Sequence, residues 1–115
     1  MARSTVAEID LSALRHNYRL LRSRIPPVAS VFAVVKADGY GHGAVPVART
    51  LEEEGARMLG VATVEEGVEL RREGIRAPVV VLGGVEETQA EEAHAHSLSS
   101  VLFERGQIGH LAREG

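Results

Sequence analysis

The chain has 115 residues, 44% hydrophobic and 25% charged, the proportions of an ordinary soluble globular protein that can bury a modest core. A formal net charge of -3 and a pI ≈ 5.9 give no basic footprint for nucleic acid, and the absence of cysteine excludes disulfides and thiolate chemistry while leaving the compartment undecided by redox logic. No long apolar run follows Met1-Ala-Arg-Ser-Thr5, so neither a signal peptide nor a membrane span is expected, and a cytoplasmic protein is the default.

Residues 5–9 alternate well enough for a short strand. Asp10 then offers a side-chain oxygen to the free N–H groups of a helix start. Leu11, Leu14, Tyr18, Leu21 and Ile25 recur at three- and four-residue spacing, one apolar stripe that predicts a helix with Tyr18 in the core. Arg15, Arg19 and Arg22 fall on another face and read as a solvated surface. Pro26-Pro27 stops the helix.

Residues 31–35 are apolar throughout, the pattern of a parallel strand covered on both faces, and alternation puts Phe32, Val34 and Lys36 on one face. Glycines 39, 41 and 43 then allow a tight turn and a close backbone approach to a ligand. A helix is predicted over about 44–54, with Val47, Ala48 and Leu51 inward, Pro46 in its first turn and Gly55 ending it. The unit repeats: a strand at 58–62, a capping box at Thr63-Val-Glu-Glu66 opening a helix that Gly74 ends, and an apolar strand at 79–82 closed by Gly83-Gly84. A polar helix at 86–96, a strand at 98–103 and a helix at 104–113 complete the pattern. One leading helix and four strand–helix units predict a parallel α/β sheet with right-handed crossovers. By periodicity alone, this is half of an eightfold barrel or a small open sheet.

Lys36 stands apart. It is the only lysine, and the other twelve of the 13 Lys and Arg residues are arginine. Burial at the end of an apolar strand lowers an ammonium pKa, and the neutral amine is a nucleophile toward carbonyls, as in Schiff-base lysines. A lysine that snorkels from the strand end to water is the structural alternative.

The run Ala33-Val-Val-Lys36-Ala-Asp-Gly-Tyr40-Gly-His-Gly-Ala44 closely resembles the pyridoxal-phosphate attachment motif of alanine racemases. The rest of the chain resembles the first third or so of such an enzyme. The resemblance implies that the fold is the N-terminal half of a (β/α)8 barrel, that Lys36 carries pyridoxal 5'-phosphate covalently, and that Tyr40 lies by the cofactor phosphate. Val34, on the face of Lys36, becomes a candidate for the pocket wall, and Leu82 a second candidate that could equally be plain core. It further implies interconversion of L- and D-alanine, with Lys36 as acid–base group on one face of the substrate. The opposite group would be a tyrosine from a C-terminal β domain of the partner subunit in a homodimer. D-alanine for peptidoglycan would be the product.

Residues 1–115 would then be the N-terminal portion of the barrel domain, without the other half of the barrel or the β domain. Four parallel strands leave two open edges, so such a chain alone is expected to be marginally stable, self-associating, or a piece of a longer protein, the last being preferred. A non-enzymatic carrier of the same cofactor and a serine or broad-specificity racemase are the alternatives. A decarboxylase of similar barrel has a different turn after its lysine.

Other residues point elsewhere only weakly. Glu91 and His94 have a Glu-x-x-His spacing, but a two-metal site needs two such pairs, so no metal is expected. His94 and His96 read as surface residues, and His42 as a support of the motif turn. The glycine turn resembles a phosphate cradle yet lacks the spacing of a P-loop, which disfavours nucleotides.

Overall fold

The computed structural model describes residues 10–35 and 44–102. The strand expected at 5–9 and the helix expected at 104–113 lie outside the described residues. Within them the order is α1 (Leu11–Arg24), β1 (Phe32–Val34), α2 (Ala44–Glu53), β2 (Met58–Val61), α3 (Val64–Arg72), β3 (Val79–Val81), a short 3-10 turn (Glu87–Gln89), α4 (Ala90–Ala95) and β4 (Leu98–Ser100). The alternation read from the sequence is the observed one.

Local chemistry sets the helix ends. Asp10 accepts a hydrogen bond from the Ala13 N–H at 3.0 Å, satisfying a donor that the first turn of α1 leaves free. Thr63 and Glu66 form the expected reciprocal capping box on α3. Helices α2 and α3 are followed by Gly55 and Gly74 at φ 96° and 90°, left-handed conformations that cost a side chain with a Cβ. The helix expected over 86–96 is shorter: its start is the 3-10 turn, closed by its own capping box between Glu86 and Gln89.

The four strands pair in parallel in the order β1-β2-β3-β4, with Val34 beside Gly60, Gly60 beside Val80 and Val80 beside Ser99. One face of the sheet carries Ala33, Leu59, Val61, Val79, Val81 and Leu98. All pack in a single core with Tyr18 of α1, Ala48 and Leu51 of α2, Val64 and Val68 of α3, and Ala93 of α4. The helices therefore cover one face only. The expectation that both faces of β1 are covered is overturned: Phe32 and Val34, on the opposite face, are 46% and 53% exposed. An open doubly wound sheet has helices on both faces, whereas a (β/α)8 barrel keeps them all outside. One-sided cover thus selects the barrel arrangement over the open sheet.

A second correction concerns α1. Arg15 and Arg19 are not simply solvated. Arg15 bonds Glu53 and Glu54 at the end of α2, and Arg19 chelates Glu54 through Nε at 2.7 Å and Nη2 at 2.8 Å. The Glu54 side chain is left only 9% exposed. Tyr18 is buried in the core as expected, yet its hydroxyl has no hydrogen-bond partner among the described residues. Leu21, assigned to the same apolar stripe, is half exposed.

Candidate functional site

In a parallel α/β unit the residues after the strand C-termini are the ones free to vary for chemistry. Here those positions follow Val35, Val61 and Val81. The N–H of Val35 donates to Gly60 O at 2.8 Å, which extends the pairing of β1 with β2 to the residue before Lys36. Lys36, Tyr40 and His42 lie outside the described residues. Val34 and Leu82 lie within them.

Gly60 joins these two. Val34 pairs with it across β1 and β2, and a Cβ on Gly60 would lie 2.6 Å from Phe32 Cε1 and 3.1 Å from Leu82 Cδ1. Phe32, Val34 and Leu82 are therefore neighbours around Gly60 on the helix-free face, with Val34 and Leu82 at the C-terminal ends of β1 and β3 and Phe32 at the start of β1. Leu82 is half-buried and belongs to this open face rather than to the helix-packed core. Gly60 was not singled out in the sequence. The available signal was a glycine inside the apolar strand Met58-Leu-Gly-Val61, which marks a close approach of other groups.

The connections beyond β2 and β3 are held tightly. Glu66 Oε1 accepts from the Ala62 N–H at 2.6 Å and from the Thr63 N–H at 3.3 Å, so the two residues joining β2 to α3 are fixed by a carboxylate. Gly83 N–H donates to Ala62 O at 3.1 Å, and a Cβ at Gly83 would lie 2.5 Å from that oxygen. The backbones after β2 and β3 approach so closely that only glycine fits.

Electrostatics away from this face are structural. Glu54 is held down to a pKa of about 2, by the Arg19 hydrogen bonds first and those of Arg15 next. Arg71, in the last turn of α3, donates to the carbonyls of Ile75, Ala77, His96 and Ser97, and burial lowers its pKa. Glu91 and His94 are exposed on α4, and the described residues hold no group of three metal-ligating side chains. The Nδ1 of His96 lies 3.0 Å from Glu92 O, a helix-end contact. No described helix is long and apolar enough to cross a membrane.

Parallel strands in sequential order, helices on one face and a glycine-floored apolar patch at the strand ends define a segment of a (β/α)8 barrel. Comparison with known proteins gives that class a family. The family described as "Alanine racemase, N-terminal domain" matches residues 9–115, and the chain belongs to it. The alanine racemase of Symbiobacterium thermophilum is 55% identical over 114 residues, which are 98% of this chain and 30% of that protein. That of Geobacter sulfurreducens is 49% identical over 102 residues, 89% of this chain and 27% of that protein.

Among solved structures, the alanine racemase of Clostridium difficile 630 superposes with a TM-score of 0.85 at 32% identity, over 90% of this chain and 28% of that one. The alanine racemase of Bartonella henselae, solved with covalently bound pyridoxal phosphate, gives 0.76 at 30% identity, over 88% of this chain and 28% of that one. The fold is thus that of the N-terminal half of the racemase barrel. The chain spans about three-tenths of the length of the curated relatives it matches.

Proposed function

We propose that this chain is the N-terminal portion of the cofactor barrel of an alanine racemase, with pyridoxal 5'-phosphate held covalently by Lys36. The observation that carries the reading is the sole lysine of the chain, two residues beyond β1 in sequence and shortly before Gly-Tyr-Gly-His-Gly, in a chain of this family. The donor chemistry fits the cofactor: an amine for its carbonyl carbon, a tyrosine hydroxyl for its phosphate and an apolar wall for its ring.

When bound, pyridoxal phosphate withdraws electrons from the α carbon of an amino acid and so makes its proton acidic. The remaining work falls to side chains. Lys36 would take or return the α proton on one face. Tyr40 would hold the cofactor phosphate through a hydrogen bond from its hydroxyl. Val34 and Leu82 exclude water from the ring, which strengthens each polar contact in the pocket. The acid–base group for the opposite face is a tyrosine of a C-terminal β domain in the partner subunit of a homodimer. L- and D-alanine are the substrates, and D-alanine in the cytoplasm supplies peptidoglycan.

The test is racemisation by a polypeptide that carries this sequence in full-length context, followed by loss of optical rotation of L-alanine. Lys36→Ala is expected to abolish turnover, while Tyr40→Phe lowers affinity for the cofactor and leaves measurable activity at saturating cofactor. Undiminished turnover by the Lys36→Ala variant would sink the assignment.

A further inference from the structure

Gly60 leaves a notch in the helix-free face of the sheet. Val34, Gly60, Val80 and Ser99 form one row across the four strands, and Gly60 alone among them has no side chain. Alternation puts Phe32 one row earlier and Leu82 one row later on that face, and each step of two residues spans about 6.6 Å. Strand side chains stand roughly perpendicular to the sheet, so both residues would by default stand clear of Gly60. They do not. A Cβ at position 60 would lie 2.6 Å from Phe32 Cε1, 3.2 Å from Phe32 Cζ and 3.1 Å from Leu82 Cδ1. The phenyl ring leans toward the strand C-termini, Leu82 leans back, and together they fill the space the glycine leaves, as close packing requires.

The backbone around the notch is fixed. The Val35 N–H donates to Gly60 O at 2.8 Å and the Leu82 N–H to Val61 O at 2.7 Å, while the Gly83 N–H donates to Ala62 O at 3.1 Å. Strands β1 and β3 are thus both bonded to β2 beside Gly60, and β2 cannot withdraw without leaving buried backbone groups unpaired. A side chain at position 60 would therefore be accommodated by its neighbours' side chains. The Leu82 methyl would have to give by a few tenths of an ångström, and the Phe32 ring, met well inside contact distance, would have to leave.

We propose that Gly60 is a positioning residue for the cofactor: by lacking a side chain it keeps Phe32 and Leu82 folded down on the sheet, and so sets the height of the apolar wall offered to the cofactor ring. Phe32 fills the notch from the side away from the strand C-termini and Leu82 from the side toward them. An occupied position 60 therefore drives Leu82 toward the C-terminal ends, where Lys36 follows β1 in sequence. The role depends on Val34 and Leu82 lining the cofactor pocket, as proposed above. A wall held in place before the ligand arrives spares binding the cost of rearranging it, which is what an empty position 60 provides.

The test uses a polypeptide that carries this sequence in full-length context, loaded with pyridoxal phosphate. The wild type is compared with Gly60→Ala and with Gly60→Ala/Phe32→Leu, in which leucine lacks the ring atoms that the new Cβ meets. Gly60→Ala is expected to raise the Kd for pyridoxal phosphate roughly tenfold, the scale of an overpacked contact, and to change the visible circular dichroism of the bound cofactor at saturation. The double variant is expected to recover most of both. A merely structural glycine would lower the urea midpoint and leave the dichroism of the saturated, folded protein as in the wild type. Unchanged Kd and dichroism in Gly60→Ala, or no recovery in the double variant, would overturn the role. Borohydride reduction of the wild type separates this from failure of the cofactor reading. An adduct on Lys36 beside a Gly60→Ala variant that binds like the wild type removes the role of Gly60 alone, whereas no adduct on Lys36 removes both.

Discussion

Arg71 offers the sharpest quantitative prediction. Its guanidinium donates to His96 O at 2.8 Å, Ile75 O at 3.0 Å, Ala77 O at 2.7 Å and Ser97 O at 3.2 Å. These carbonyls belong to two separate connections, the one leading into β3 and the one leading into β4. Arg71 therefore fixes where both strands begin. Hydrogen bonds to a charged group contribute about 1.5–3 kcal/mol each, and removing a partner leaves its acceptors unpaired. Half-exposure lets water replace part of this, so Arg71→Ala should cost about 3–5 kcal/mol in all. That is a large share of the roughly 5–15 kcal/mol that stabilises a typical domain. Arg71→Lys keeps the charge but replaces a planar fork with a compact ammonium that cannot span both connections, so it should recover less than half of the loss. Urea denaturation followed by circular dichroism reads both variants. A lysine variant with the wild-type midpoint would show that charge, not the fork, holds the strand starts, and would refute this reasoning.

Three other perturbations have signed outcomes. The folded-state pKa of Glu54 is lowered from 4.5 to about 2, so its ion pairs stabilise the fold above about pH 4.5, and that contribution is lost as pH falls toward about 2; Glu54→Gln should flatten the acid limb of a stability–pH curve measured in urea, and an unchanged slope would contradict the α1–α2 clamp. Tyr18→Phe removes a buried hydroxyl with no partner among the described residues and should raise stability by about 1 kcal/mol, visible as a higher urea midpoint, whereas a fall would reveal a bond that the hydroxyl does make. Gly83→Ala drives a Cβ to 2.5 Å from backbone oxygen, while Gly60→Ala meets only the side chains of Phe32 and Leu82; overpacking costs typically about 1–3 kcal/mol, so Gly83→Ala should be the more destabilising in thermal melts, and the reverse order would mean that the backbone after β2 yields more readily than Phe32.

The strand–helix alternation was legible because apolar runs bounded by Gly and Pro, and caps such as Asp10 and Thr63, act within a few residues. What was not legible depends on distant parts of the chain. Arg15 and Arg19 find their carboxylates 35 to 39 residues away, so no local pattern separates them from Arg22 on the solvent face. The apolar residues of β1 read as covered on both sides, since a strand destined for a barrel interior has the same composition whatever covers it. At the candidate site, alternation sufficed to group Val34 with Phe32, and both lie on the helix-free face. Leu82 was the weaker candidate because its placement over Gly60 depends on the register of β3 against β2, which no property of the 79–82 run specifies.

The central claim is that Lys36 is the cofactor's attachment point, and the most direct measurement is borohydride reduction of the chain after incubation with pyridoxal phosphate, followed by peptide mass mapping. Only Lys36 and the N-terminal amine can react, because the sequence has no other lysine. The account predicts a reduced adduct on the peptide containing Lys36, lost in Lys36→Arg. Label confined to the N-terminus, or none at all, would contradict it.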